Sequence, residues 1–427
     1  MVASDRAPRL SGHHLKSKSR FIQDLTRPET FPVFLMYFFW AFGTGGLWLV
    51  RPLFAYETGG TFLLVAVISS VSAMPRLVTG PLTGYLTDRF GRKPFVIIGS
   101  LLHVIAMTSD FFVDSYLPFL LLEIVGGIGI SVWMTSANVL MADSTRLETR
   151  GRVVAVREIS ARIGLLLGPA AAGLIGVVFG LKYIFFFIAI TKVIVIIVTV
   201  LWIKETRRER ADKPARAPGT KRRIDITMFR TRAFLALAIG TFTVSMVGGG
   251  TGVFRTLFPP HFKEVAGLSE VQIGLLLAIA GGVALVATMP AGVITDRYGR
   301  KRSLLFGLLV TASAVYVMTL GATFMVAVVA VMAFGLSEAF GWGTMQVYAM
   351  DLAPEEKRGA FLGVWGLFMN LGQIIGPLFI GTLADRYSFG LAFTVVSGML
   401  IVGATTVFLF GKETKASPIA ANDPSPP

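Results

Sequence analysis

Gly84-Tyr-Leu-Thr-Asp-Arg-Phe-Gly-Arg-Lys93 comes back as Gly292-Val-Ile-Thr-Asp-Arg-Tyr-Gly-Arg-Lys301, and each copy lies on the short link between two long apolar runs. The offset is constant: 296 − 88 = 208, and the same 208 separates Asp143 from Asp351, Arg150-Gly151 from Arg358-Gly359, and Gly168-Pro169 from Gly376-Pro377. Chance does not hold one offset across so many landmarks. In a membrane chain such a repeat points to a duplication that leaves two parallel bundles with a path between them.

The runs on either side of the loops justify the word membrane. Of 427 residues 54% are hydrophobic and only 15% charged, and the mean hydropathy is +0.69, well outside the soluble range. A bilayer crossing takes about 20 apolar residues. Twelve candidate spans can be marked, at 31–55, 61–86, 94–112, 116–141, 153–179 and 183–203, then 233–258, 269–294, 303–323, 325–350, 360–383 and 389–411. The expected fold class is all-α, with twelve transmembrane helices in two pseudo-symmetric six-helix bundles. The bundles occupy 31–203 and 233–411, joined by a basic connector at 204–232 and flanked by tails at 1–30 and 412–427.

A net charge of +15 raises the question of nucleic acid, but the basic residues alternate between loops. Arg6 to Arg27, Arg89, Arg92 and Lys93, then Arg146, Arg150 and Arg152, the connector, Arg297 to Arg302, Lys357, Arg358, Lys412 and Lys415 fall on one side. The other side holds only Lys182, Lys263, Arg386 and a few acids. The positive-inside rule then places both termini in the cytoplasm of a cell whose inner or plasma membrane the chain spans. The expected partners are lipid and a small-molecule substrate, with no nucleic acid, in a monomer. The first thirty residues lack the apolar core of a cleavable signal peptide. No cysteine is present, which excludes disulfides and thiolate metal sites.

Twelve spans in two sixes, with the G-x3-D-R-x-G-R-K loop after spans 2 and 8, resemble the major facilitator superfamily of secondary transporters. Span 5 adds Gly164-x3-Gly168-Pro169-x3-Gly173, similar to that family's glycine-proline motif, and span 11 mirrors it as Gly372-x3-Gly376-Pro377-x3-Gly381. Small residues at this spacing let helix backbones approach in lipid, and proline removes one ladder hydrogen bond, so both segments read as packing surfaces, as hinges, or as both. The resemblance implies a cytoplasmic latch. Asp88 would meet the start of span 11 near Gly359, and Asp296 the start of span 5 near Gly151, each carboxylate facing a positive helix end. Gly84 and Gly292 open the loop motifs, Gly91 and Gly299 permit the turns, and Arg92 and Arg300 could pair with Asp143 and Asp351. Arg89, Arg297, Arg150 and Arg358 complete the basic rim. Rocking of the halves would break and remake these contacts.

Charges inside spans carry the functional reading, since each costs at least ~2.5 kcal/mol at a helix centre. At 1.5 Å per residue, Arg162 lies about 14 Å into span 5 and Glu338 about 20 Å into span 10. Glu158 and Arg162 are four apart, the favourable order for a pair, with Arg157 as the alternative partner. Their counterparts 208 residues on, Gly366 and Asn370, are uncharged. Glu123, Glu158 and Glu338 are the proton-carrier candidates, and Glu338, with no cation nearby in sequence, is the foremost. Glu123 stands where the drug-exporter branch of the family typically places arginine. Arg51 and Arg255 occupy matching places in LVRPLF and VFRTLF. They either bind an anion between the bundles, with Arg76 as a third contributor, or snorkel to the outer surface. Trp133, Met134, Asn138, Trp342, Met345 and Gln346 on spans 4 and 10 and Asn370 on span 11 could line an amphipathic cavity.

No phosphate-binding G-x4-G-K-[ST] segment occurs, His13, His14, His103 and His261 form no ligand cluster, and no nucleophilic triad has support in the sequence. The expectation is a transporter and not an enzyme. It would need no cofactor, would draw on a proton gradient, and would export small amphipathic compounds. The alternatives are an organic-anion antiporter or importer and a membrane sensor that transports nothing.

Overall fold

The computed structural model describes residues 31–144, 150–205, 226–321 and 323–414. Both expected tails, most of the connector, and the side chains of Arg150 and Trp342 lie outside the described residues.

Twelve helical crossings follow one another. They are α1 (Phe31–Gly59), α2 (Phe62–Phe90), α3 (Lys93–Asp110), α4 (Tyr116–Ser144), α5 (Arg150–Phe179) and α6 (Tyr183–Trp202), then α7 in two pieces (α7a Arg232–Val247 and α7b Val253–Glu264), α8 (Glu270–Tyr298), α9 (Arg300–Val317), α10 (Phe324–Leu352), α11 (Arg358–Arg386) and α12 (Phe389–Phe410). Nine of these are each long and apolar enough to cross a bilayer. The shorter α3 and α9 begin on the charged residues of the twin loops, and α7 is interrupted. Hydroxyl side chains start several rods: Thr61, Thr231, Thr323 and Ser388 each accept a hydrogen bond from a backbone N–H of the first turn, and Ser269 with Gln272 forms a full capping box on α8. Each satisfies amides that have no partner within the helix.

The two bundles repeat one packing scheme. In the first, α1 lies on α5 and α6, and α3 on α4 and α6; in the second, α7 lies on α11 and α12, and α9 on α10 and α12. The glycine motifs explain how closely. A Cβ on Gly164 or Gly168 would strike the α1 backbone at Phe38 and Phe42, and one on Gly372 or Gly376 would strike the α7a backbone at Phe242 and Met246. The last glycine of each motif does the same across the bundle boundary. Gly173 lies against the start of α8 at Glu270, and Gly381 against the start of α2 at Phe62. Pro169 and Pro377 sit within their helices without ending them.

Two features of the fold were not anticipated. The predicted continuous span 7 breaks at Gly248-Gly-Gly-Thr-Gly252, where Gly249 adopts φ +80°. A glycine run in lipid forms irregular backbone only where protein or a water-filled cleft satisfies it. The second feature is a pair of carboxylate clasps. Gly91 and Gly299 turn with φ +99° and +101°, a region that only glycine enters readily. Into each turn reaches an acid from beyond the bundle's last helix. Glu205 accepts from Arg92 and Lys93 amides, and Glu413 accepts from the Lys301 amide. Each bundle's end thereby caps its own third helix.

The bundles touch on the face away from the twin loops and part on the loop face. On the far face, Asp385 at the end of α11 accepts from the Phe62 and Leu63 amides at the start of α2, at 2.9 and 2.7 Å. Lys263 on α7b reaches Glu57 on α1 at 2.9 Å and Glu270 at 3.0 Å. Deeper in, the Ser70 hydroxyl donates to the Ile374 carbonyl. On the loop face, Gly80 and Gly84 on α2, Gly292 on α8 and Gly359 and Gly363 on α11 have open space where a side chain would be. A cleft between the bundles therefore opens toward the basic loops.

Candidate functional site in the cleft between the bundles

Each bundle carries an arginine on its first helix and a glutamate on its fourth, and the fold brings them together. Arg51 on α1 places Nη2 2.8 Å from Oε2 of Glu123 on α4, with both side chains buried. Arg255 on α7b donates from one Nη2 to both oxygens of Glu338 on α10, at 2.9 and 3.0 Å. Of the two readings of these arginines, anion binding and snorkelling, the second does not fit, since each guanidinium is paired with a carboxylate of its own bundle. Helix α1 runs on to Gly59, two turns beyond Arg51, so the guanidinium lies inside the bundle at the level of the α4 carboxylate. Glu338, which has no cation nearby in sequence, gains one on folding: its partner lies 83 residues away in the chain. A buried ion pair of this kind gains little net stability, yet losing one partner leaves an uncompensated charge.

Arg255 makes two further contacts. Its Nη1 donates to the Gly249 carbonyl in the break of α7, and its Cζ stands 3.9 Å from the ring centre of Trp48 on α1. One guanidinium thus joins the broken helix, the α10 carboxylate and an aromatic face of the opposite bundle. Glu338, side chain 22% exposed, opens onto a recess lined by Val244, Gly248, Thr311, Phe334 and Ser337. The 22% matters: this carboxylate is accessible from the recess, whereas Glu123 is sealed at 0%.

A second network lies in the first bundle. The Arg157 Nη1 donates to Asn138 Oδ1 at 2.9 Å, the Tyr37 hydroxyl donates to the same oxygen at 3.3 Å, and Arg157 lies over the Tyr37 ring. Glu158 pairs with Arg157, not with Arg162 four residues on as its spacing suggested, because Asn138 and Tyr37 already hold the Arg157 guanidinium in place beside it. Arg162 is half-buried one turn further along. Of the expected cavity residues, Met134 and Gln346 are exposed, Asn370 is half-buried and Met345 is buried. Trp133 does not line a cavity: it is stacked on Trp40 at 3.7 Å and edge-on to Tyr37 within the first bundle. Arg76, just past the Pro75 bend of α2, is half-buried with its Nε lacking a hydrogen-bond partner.

The twin loops build the same constellation twice. Arg92 lies 3.2 Å from Asp88 and 3.0 Å from Asp143, and Arg300 lies 3.1 Å from Asp296 and 2.9 Å from Asp351. Arg89 and Arg297 sit over the neighbouring rings of Phe90 and Tyr298, and Arg358 is exposed. Among the described residues no contact of the expected latch across the bundles is present, and the side chains at the start of α5, where Asp296 was expected, lie outside them. The Asp88 and Asp296 side chains are 74% and 67% exposed, and among the described residues each is held by the arginine of its own loop.

Sequence reasoning missed several residues that the structure puts in prominent places. Asp110, at the end of α3, is fully buried. Lys192 on α6 is fully buried too, donating to the Trp40 carbonyl and Thr44 beneath the Trp40 ring. Both interrupt apolar runs and were open to notice. Glu205 and Glu413 are also 208 apart, in two copies of Lys-Glu-Thr. Asp385 and Trp48 gave no local signal, since each acts across the bundle boundary. Among the described residues no cluster of metal-ligating side chains occurs.

Known proteins agree with this architecture. Multidrug resistance protein 1 of Bacillus subtilis is 25% identical over 366 residues, covering 83% of this chain and 90% of that protein. A putative niacin/nicotinamide transporter of the same organism is 26% identical over 349 residues, covering 82% and 86%. The crystal structure of the nucleoside transporter NupG superposes with a TM-score of 0.77 over 90% of this chain and all of that one, at 14% identity. The sequence model of the Major Facilitator Superfamily matches residues 33–249 and again 240–426, one match for each bundle. The chain belongs to the Major Facilitator Superfamily, a family of membrane transporters.

Proposed function

We propose that this transporter exports small amphipathic compounds, cations among them, from the cytoplasm in exchange for protons, by alternating access. The observation that carries the reading is the Arg255 guanidinium, held between the Glu338 carboxylate and the face of Trp48. An aromatic face that accepts one cation accepts another, so a lipophilic cation entering the cleft competes with Arg255 for Trp48. With Glu338 ionised, the carboxylate can hold Arg255 while a compound takes its place on Trp48; with Glu338 protonated, Arg255 loses that ion pair, and the ring and the Gly249 carbonyl become its remaining partners, so it competes harder for Trp48 and expels the compound. Substrate and proton thus exclude each other through one side chain, which is what antiport requires. The basic rim of the loops supports a cytoplasmic position for that face under the positive-inside rule; the cleft would then open inward, where a compound to be exported is collected. Relatives named for multidrug resistance support this direction. No cofactor enters the scheme.

The experiment is uptake of ethidium into inside-out vesicles carrying the protein, with and without an imposed pH gradient. Gradient-dependent accumulation is expected, and Glu338→Gln should abolish the gradient dependence. Accumulation that ignores the gradient in the unsubstituted protein would count against coupling. A second reading, binding of a carboxylate or phosphate ester, draws on Arg76, whose guanidinium makes no ion pair among the described residues. Protection of the protein against heat by phosphate esters but not by ethidium would favour it.

A further inference from the structure

We infer that Asp110 is a proton-binding site, distinct from Glu338, that carries a proton in this inward-open form and exchanges it with water on the far face. Three glycine contacts set the register of the antiparallel α3 and α4: Gly99 meets Trp133, Gly129 meets His103, and Gly126 meets Ala106. Continued one turn, that register lays Asp110 beside Glu123. Both carboxyls are fully buried, and Arg51 provides the pair with one guanidinium, 2.8 Å from Glu123. None of the four oxygens of Asp110 and Glu123 receives a well-aligned hydrogen bond, and of the two acids Glu123 alone has an ion pair among the described residues, with Arg51. An ionised carboxylate sealed from water with no donor is the arrangement proteins avoid by taking up a proton, and here a second carboxylate stands next to it, with one cation for two acids.

The other charged groups do not supply the missing counterion. On its own helix α3, His103 lies about two turns away and Lys93 at the opposite end. Lys192 on α6 is engaged with Trp40 and Thr44, Lys182 in the loop before α6 pairs with Asp114, and no hydrogen bond from Arg76 on α2 reaches either oxygen of Asp110 among the described residues. Asp110 is nonetheless the last residue of its helix, at the end of the first bundle away from the basic loops, on the same side of the molecule as the contacts that join the bundles. Parting of that face would admit water, and the carboxyl would pass its proton to it, leaving a carboxylate beside Arg51 that later takes a proton back. The second bundle offers no equivalent, since the residue 208 further on is Met318.

The role in coupling rests on the export reading, but the test of the site does not. Infrared difference spectra of the purified full-length protein between neutral and alkaline pH should contain a protonated-carboxyl C=O band that vanishes in Asp110→Asn and shifts in frequency in Asp110→Glu. A band unchanged in Asp110→Asn, or absent from the unsubstituted protein, overturns the inference; should the asparagine variant fail to fold, a band unshifted in Asp110→Glu does the same. Loss of gradient-driven ethidium uptake in the unsubstituted protein would defeat the export reading and leave the infrared result standing.

Discussion

Two arginines of nearly identical sequence surroundings have different tasks because their carboxylate partners differ in access to water. Arg51 faces Glu123, sealed at 0%, while Arg255 faces Glu338, 22% exposed in the cleft. Removing a guanidinium strands the opposite carboxylate, which for a buried pair costs about 3–5 kcal/mol. Water in the cleft can relieve Glu338 but not Glu123. Arg51→Ala should therefore lower the melting temperature in detergent much more than Arg255→Ala, whereas Arg255→Ala should have the larger effect on transport. Equal melting temperatures for the two variants would mean that Glu123 is hydrated after all. Arg255→Lys isolates the geometry: a lysine keeps the charge but loses both the planar stack on Trp48 and the fork toward Glu338, so export of a lipophilic cation should fall although the charge remains.

Helices reveal how far a sequence can be read on its own. The twelve crossings, the duplication and the pairs of loop arginine with helix-end aspartate, Arg92 to Asp143 and Arg300 to Asp351, were all accessible, because hydropathy is local and the two copies mirror each other. Interruptions were harder. Gly248 to Gly252 stood in plain view, but glycine is common in membrane helices, and whether such a run stays helical depends on what packs against it. The related run Gly43 to Gly46 in α1 does stay helical, clasped by Thr191, Pro169 and Phe187. Partners such as Arg255 for Glu338 stayed hidden because no pattern in either helix specifies which rotation faces the other. The glycines of α5 and α11 can be sorted by the same packing logic. Gly168→Leu would drive a side chain into the Phe42 carbonyl, 2.2 Å from the first added carbon, whereas Gly363 on α11 has nothing within 4 Å. Gly168→Leu should be poorly folded, and Gly363→Ala should be neutral or stabilising by up to about 1 kcal/mol, as read by thermal unfolding; a destabilised Gly363→Ala would indicate that the parted loop face closes tightly over that position in the other state.

At the scale of the whole molecule, the two faces carry locks of the same physical kind in opposite states. On the far face the lock is closed: the Asp385 carboxylate accepts the first amides of α2, in the other bundle, where the positive end of a helix favours an anion. On the loop face Asp88 and Asp296 stand 74% and 67% exposed, and a latch on this face would bring them to helix starts of the other bundle. Rocking one bundle against the other would exchange these contacts, so each aspartate stabilises one state at the expense of the other. Asp385→Asn weakens only the present state and should populate the form closed on the loop face; Asp88→Asn weakens only that form and should deepen the present one. The chain lacks cysteine, so spin labels at Tyr85 on α2 and Val293 on α8, both exposed, report the gap without background. Pulsed electron resonance should record a shorter distance growing in Asp385→Asn and fading in Asp88→Asn. Identical distance distributions in the two variants would mean that the aspartates do not set the balance, and the exchange of states would have to be driven by the Arg255 and Glu338 pair alone.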